Sequence, residues 1–395
     1  MLGGASLEAA TVTLAWDANP DAVSGYRVRY RTTPTGTPTI VDVGNVTQFS
    51  LLGLRAGTYY FSVEAYGVGG LTSLPSNEIN AVLTLPVPAT TAPDFDGDLK
   101  TDPGLWQPST GMWSWLPSAG TNTPARNIQW GNALLGDTPL AGDLDGDGVG
   151  DLVVWRASTG TWYWLNSSNG FNYAAAGSKQ WGNLSLGDVP MLADIDGDRL
   201  SDLVVWRAST GTWFWLTSSS GYSYASMAST QWGNAAMGDV PLVADLDGDG
   251  RADLTVWRPT DGTWYWLTSS SGYSYSAMAS KQWGSLGDTP MVGDFDGDHR
   301  TDLAIWRPSN GTWYWLTSST AYAYASGGSR QWGNSSLADV PLLADFDGDG
   351  KADVCVWRAS TSTWYWLTSS SGYAYGSGVS RQLGLPNSGA IAIVK

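Results

Sequence analysis

Between residues 7 and 84 apolar and polar side chains alternate in short runs: TVTLAW, GYRVRYR, TPTIVDVG, QFSLLGL and TYYFSVEAY. A period of two, broken about every ten residues by turn formers, predicts the antiparallel strands of a β-sandwich. Tyr59, Phe61, Val63 and Ala65 fall on one face of the last run, and Trp16 stands where an early strand would send an aromatic ring into the core. These runs place a sandwich domain over residues 1–86. A Pro/Thr-rich stretch over 87–93, the end of LPVPATTAP, reads as an extended, semi-rigid linker.

Beyond the linker, over residues 94–395, the pattern repeats itself. Each copy holds an aspartate-rich loop, an apolar strand such as DLVVWR, a Gly-containing turn, the strand GTWYWLTSS, a small-residue stretch with GYSY, then QWG and a strand such as GDVPLLAD. The loops begin at Asp94, Asp143, Asp194, Asp245, Asp294 and Asp345, a period of 49 or 51 residues. Four short strands per repeat of that length predict the blades of a β-propeller, six in number. The fold class expected is therefore all-β: an immunoglobulin-like sandwich followed by a six-bladed β-propeller. The final GAIAIVK reads as one more strand without a blade of its own. It either pairs with the first blade or is donated to a neighbouring molecule, which would hide the same edge by polymerising.

Every loop follows D-x-D-G-D-x-x-x-D. The carboxylates at positions 1, 3, 5 and 9 are Asp94, Asp96, Asp98 and Asp102 in the first repeat, then Asp143, Asp145, Asp147 and Asp151. The third and fourth repeats contribute Asp194, Asp196, Asp198 and Asp202, and Asp245, Asp247, Asp249 and Asp253. The fifth and sixth contribute Asp294, Asp296, Asp298 and Asp302, and Asp345, Asp347, Asp349 and Asp353. So many like charges repel unless something positive sits among them. Oxygen-only ligands around a glycine turn suit a hard cation and favour Ca²⁺, about one per blade, over zinc or iron. Residues 87–395 contain 30 acidic side chains and no Glu, and 24 of them lie in these loops, which a merely solvated acidic surface would not produce.

Two resemblances rest on these residues. LAWDANPDAVSGYRVRY, LRAGTYYFSVEAYG and LPSNEI resemble a fibronectin type III domain, which implies a spacer or adhesive module. The six aspartate loops resemble the calcium loops of FG-GAP or VCBS-type propeller repeats, as in integrin-like heads. That resemblance implies that the 24 aspartates named above are the metal ligands.

Of the 24 tryptophans all but Trp16 lie beyond residue 100. Two readings stand: contact area between neighbouring blades, or a sugar-stacking platform repeated around the ring. Arg156, Arg207, Arg258, Arg307 and Arg358 stand beside them, with Gln107 in the first repeat, and each Arg has an Asp of a GD[VT]P or ADVP turn as a candidate partner.

Charge and composition then narrow the function. A formal charge of −16 argues against nucleic acid and anionic membrane surfaces. No run of 18 apolar residues predicts membrane insertion, and MLGGASLEAATV carries no visible signal peptide. With one cysteine, Cys355, and one histidine, His299, Cys–His and Ser–His catalysis lacks its groups. An enzyme is not expected, since catalysis needs an asymmetric constellation and almost every polar feature here recurs. The expectation is a secreted or cell-surface calcium-binding protein that acts by adhesion or recognition of an extracellular glycan or protein ligand. The alternative is a structural subunit that self-associates into fibres or a surface layer through its terminal strands.

Overall fold

The computed structural model describes residues 10–54, 57–69, 71–83, 93–118 and 124–393. The expected linker, apart from Pro93, and the first nine residues lie outside these. The chain forms two compact units, the first built on residues up to Val87 and the second on residues from Pro88 onward. Among the described residues there is no α-helix, only strands and three-residue 3₁₀ turns.

The first unit has six strands: β1 (Ala10–Ala15), β2 (Gly25–Arg31), β3 (Thr39–Gly44), β4 (Gln48–Leu54), β5 (Gly57–Tyr66) and β6 (Ile79–Leu83). They pair as a two-stranded sheet β1–β4 and a four-stranded sheet ordered β3–β2–β5–β6. The alternation seen in the sequence sends Leu14, Val28, Leu51, Tyr59 and Phe61 into one core, with Trp16 and Val63 partly buried against it. Glu64 points the other way, is buried, and is held by Arg29 at 2.6 Å.

The second unit is six four-stranded antiparallel sheets. The second of them shows the plan: β10 (Asp137–Gly142), β11 (Asp151–Arg156), β12 (Thr161–Leu165) and β13 (Gly177–Gln180), paired in that order. The first contains β7 (Gly104–Gln107), β8 (Met112–Trp115) and β9 (Arg126–Gln129), and its fourth strand is the C-terminal Ile391–Ala392. Ile391 pairs with Trp106 and Ala392 with Leu105, so the last strand of the chain sits on the first sheet of the repeat unit. Of the two fates expected for GAIAIVK, the structure adopts pairing within the chain. Apolar clusters join successive sheets and also join the sixth to the first, where Leu105 lies with Leu342, Trp357 and Trp364.

Candidate metal centres

Each aspartate loop leads into the second strand of its sheet, from the first strand in the second to sixth sheets, and its carboxylates have distinct tasks. The position-1 aspartate accepts the N–H of the glycine at position 4, at 2.6 Å in all six loops. Its other oxygen accepts the N–H of position 6, which is left-handed in every copy. Glycine holds that conformation without strain; Leu99, Arg199 and His299 hold it in the other three loops. His299 is exposed there, and its backbone N–H bonds Asp294.

The position-9 aspartates, Asp102, Asp151, Asp202, Asp253, Asp302 and Asp353, are wholly buried. Each accepts two backbone N–H groups. In the fourth loop these come from Leu246, at 2.9 Å, and from Ser269 after the third strand, at 2.7 Å. Burial nevertheless dominates and pushes all six carboxyls up to about 7, with the position-3 carboxylate adding to the rise. At position 3 of the second to sixth loops, one carboxylate oxygen accepts a serine hydroxyl, from Ser270 in the fourth loop. The Oδ1 atoms of Asp247, Asp296 and Asp347 are buried with no hydrogen-bond partner.

Positions 1, 3 and 9 converge. Asp94, Asp96 and Asp102 bring one oxygen each within 4.8 Å of one another, as do Asp143, Asp145 and Asp151. The same holds for Asp194, Asp196 and Asp202, for Asp245, Asp247 and Asp253, and for Asp294, Asp296 and Asp302, with one further group among the described residues. Asp345, Asp347 and Asp353 hold these positions in the sixth loop. Three carboxylates with no basic group among them, one wholly buried and, in the fourth to sixth loops, one with an orphaned oxygen, fit a hard cation. A buried acceptor without a donor costs about 1–3 kcal/mol, a penalty that ligation removes.

The position-5 aspartates, Asp98, Asp147, Asp198, Asp249, Asp298 and Asp349, stand outside these three-residue groups. Each accepts the hydroxyl of the serine that follows the third strand: Ser118, Ser167, Ser218, Ser269, Ser318 or Ser369. The sequence reading did not single out these serines, although the recurring TSS after WYWL was their signal. One serine thus binds position 9 through its backbone and position 5 through its side chain, tying the loop to the third strand.

The loops are also linked to one another. The N–H of position 8 donates to the position-1 carbonyl of the preceding loop: Gly150 to Asp94, Ser201 to Asp143, Ala252 to Asp194, Thr301 to Asp245 and Ala352 to Asp294. Thr101 donates to Asp345 at 2.6 Å, so the series returns to its start.

The tryptophans divide into two groups. Trp106, Trp113, Trp155, Trp162, Trp206 and Trp213 are among those almost fully buried, which leaves no face for a sugar. Their indole N–H groups converge in pairs on the carbonyl of the QWG tryptophan. Trp155 and Trp162 reach Trp181 O at 3.0 and 2.8 Å, and Trp206 and Trp213 reach Trp232 O. The sixth sheet departs from this. Ser362 replaces the turn glycine and donates its hydroxyl to Leu383 O, leaving the Nε1 groups of Trp357 and Trp364 buried without a partner. The QWG tryptophans are partly covered, except the buried Trp232, and each pairs with an exposed tyrosine of the next sheet, as Trp181 does with Tyr224. The arginines are structural: Arg156, Arg207, Arg258, Arg307 and Arg358 make two-pronged bonds to Asp137, Asp188, Asp239, Asp288 and Asp339.

A sandwich followed by sheets that each carry an aspartate loop defines an all-β repeat protein with candidate metal sites. Family models agree with that architecture. Residues 5–82 match the fibronectin type III domain, and residues 194–256, 245–305 and 294–356 match the FG-GAP-like repeat. The chain carries a fibronectin type III domain followed by FG-GAP-like repeats. No curated protein matches it by sequence. Among solved structures it is similar to an Agrocybe aegerita lectin described as recognising non-reducing terminal N-acetylglucosamine. Identity is 14%, coverage 92% of this chain and 96% of the lectin, and the TM-score 0.49. It is also similar to an auxiliary nutrient binding protein of Bacteroides ovatus, at 11% identity, 89% and 92% coverage and a TM-score of 0.37.

Proposed function

We propose that this protein is a secreted, non-catalytic recognition or adhesion module, built as a closed six-bladed propeller with one Ca²⁺ per blade behind a fibronectin-type spacer. The observation that carries the calcium assignment is the three-carboxylate group repeated loop after loop, with an orphaned buried oxygen at Asp247, Asp296 and Asp347. In each, the carboxylates of positions 1, 3 and 9 hold the ion, and position 5 braces the loop through its serine. Secretion suits such sites, since extracellular calcium modules work at about millimolar ion levels.

Recognition is supported by the rim. Tyr173, Tyr224, Tyr275, Tyr324 and Tyr375 are each more than half exposed, and each lies beside a QWG tryptophan, partly covered in all but Trp232. Five similar aromatic pairs present a repeated surface, and shallow repeated sites gain avidity against dense glycans. A filament built by donating the C-terminal strand would first have to break the Ile391–Trp106 pairing.

The test is metal analysis of the gel-filtered protein with calcium calorimetry, followed by a glycan array on the calcium-loaded form. About six bound ions per chain and saturable, calcium-dependent glycan retention are expected. Fewer than one ion per chain in millimolar calcium would end the calcium reading, and a blank array would end the glycan reading alone.

A further inference from the structure

The six loops are alike in their carboxylates but not in what lies over them. In each, the glycine at position 4 gives its N–H to the position-1 aspartate. The position-7 side chain of the following loop packs against that glycine. The contact is close: a Cβ on Gly197 would lie 2.8 Å from Arg251 Nε, and one on Gly297 would lie 2.8 Å from Lys351 Cε. Position 7 therefore leaves its own loop and acts on the preceding one, and the series closes with Lys100 over Gly348 of the sixth loop.

The covering residue changes around the series. Val149 lies over Gly97 of the first loop and Leu200 over Gly146 of the second. The third to sixth loops are covered by Arg251, Arg300, Lys351 and Lys100. Arg300 makes a bond as well: its Nη2 donates to the carbonyl of Asp247, position 3 of the fourth loop, at 2.7 Å. A fixed positive charge one glycine away from the position-1 carboxylate steadies the ionised cluster when no ion is there, and repels a divalent cation that enters. Both effects lower affinity for the ion, and valine and leucine exert neither.

We infer that calcium fills this protein in two stages, the first and second loops binding it tightly and the third to sixth more weakly, because of the cation supplied by the following loop. The inference rests on calcium being the ion of all six loops, as proposed above. The serine brace on position 5 and the buried carboxyl at position 9 are common to both groups. Position 6 does not follow the division either, since glycine occupies it in the second, fourth and sixth loops. Between the two concentration ranges the protein holds two ions on successive sheets, the first of which carries the C-terminal strand.

The test is a calcium titration of the full-length protein against a competing chelator in about 10 mM salt, where charges act over about 30 Å. Two tight and four weaker ions are expected, with affinities about tenfold apart. Leu200→Arg should leave one tight ion and Arg251→Leu should give three, and neither residue is among the proposed ligands. Leu200→Gln, which alters packing without adding charge, should keep two. If Leu200→Arg does not fold, Lys351→Met serves in its place and should also give three. At about 0.5 M salt the two groups should draw to within about twofold of each other. Six equivalent ions at low salt, or counts that the charge substitutions leave unchanged, would overturn the inference while the calcium reading stands. So would Leu200→Gln lowering the count as Leu200→Arg does, which would make packing the cause. Fewer than one ion per chain would end both.

Discussion

The sandwich and the aspartate loops of the repeat unit bury acidic groups by opposite means, although five turn aspartates of the repeats are paired with arginines as Glu64 is. In the sandwich, Glu64 is the one buried acid among the described residues, and it has two guanidinium groups near it: Arg29 at 2.6 Å and Arg27 at 3.8 Å. In the repeat unit, each loop buries an aspartate beside two further carboxylates with no arginine or lysine in the group. A paired acid carries its compensation within the fold; a clustered one must take it from solution, as protons or as a cation. The sandwich should therefore be indifferent to calcium, and the repeats should depend on it.

Chelation gives the largest contrast. At about ten times the Kd, each site contributes about 1.4 kcal/mol, so about 8 kcal/mol over six independent sites. Calorimetric melting in EDTA should lower the transition of the repeat unit by tens of degrees and leave that of the sandwich in place. Two transitions moving together would break the comparison.

Single substitutions rank next. Asp253→Ala removes one carboxylate of a metal group and strands the N–H groups of Leu246 and Ser269, at a cost of about 3 kcal/mol or more in calcium. Arg258→Ala leaves the buried Asp239 unpaired and should cost about 3 kcal/mol, calcium present or not. Arg29→Ala in the sandwich should cost only about 1 kcal/mol, because Glu64 retains Arg27. Urea denaturation with and without calcium separates the three, since only the first should lose its calcium dependence in part.

The pH response sharpens the comparison further. Burial raises the position-9 carboxyls to about 7 from an unfolded value near 4. Without a cation the folded repeats therefore bind protons more tightly than the unfolded chain between those limits, and their stability falls as pH rises through that window. Melting in EDTA should occur at higher temperature at pH 5 than at pH 8. Calcium should reverse the order, since the ion binds the ionised groups. The sandwich should show neither effect.

The smallest effect lies in the sixth sheet. Ser362→Gly would free the Leu383 carbonyl for the indoles of Trp357 and Trp364 and relieve a left-handed serine. A gain of about 1 kcal/mol in the repeat unit is expected from urea denaturation, with no change in the sandwich.

Much of the fold was legible because it is local and repeated. Alternation at period two placed Tyr59 and Phe61 in the sandwich core, and a fixed period of aspartate loops counted the sheets. The pairing of each Arg with the Asp of its turn was also foreseeable. In the second sheet Asp137 and Arg156 are cross-strand neighbours once the register is set. Less legible was the division of labour inside each loop. Four aspartates look alike in D-x-D-G-D-x-x-x-D, yet positions 1, 3 and 9 converge while position 5 turns to a serine 20 residues away. That serine follows the third strand, and spacing within the loop carries no record of it.

The sequence alone therefore determined which residue types recur and at what interval, because strand periodicity and turn chemistry act between near neighbours. The tertiary structure decided what depends on strands far apart in the chain lying side by side. Thr101 and Asp345 are bonded across 244 residues, and the C-terminal Ile391 pairs with Trp106 of the first sheet. Whether the tryptophans served a core or a sugar surface was likewise settled only by packing. A buried indole needs an acceptor, and the carbonyl that serves two of them at once exists only after three strands of a sheet have come together.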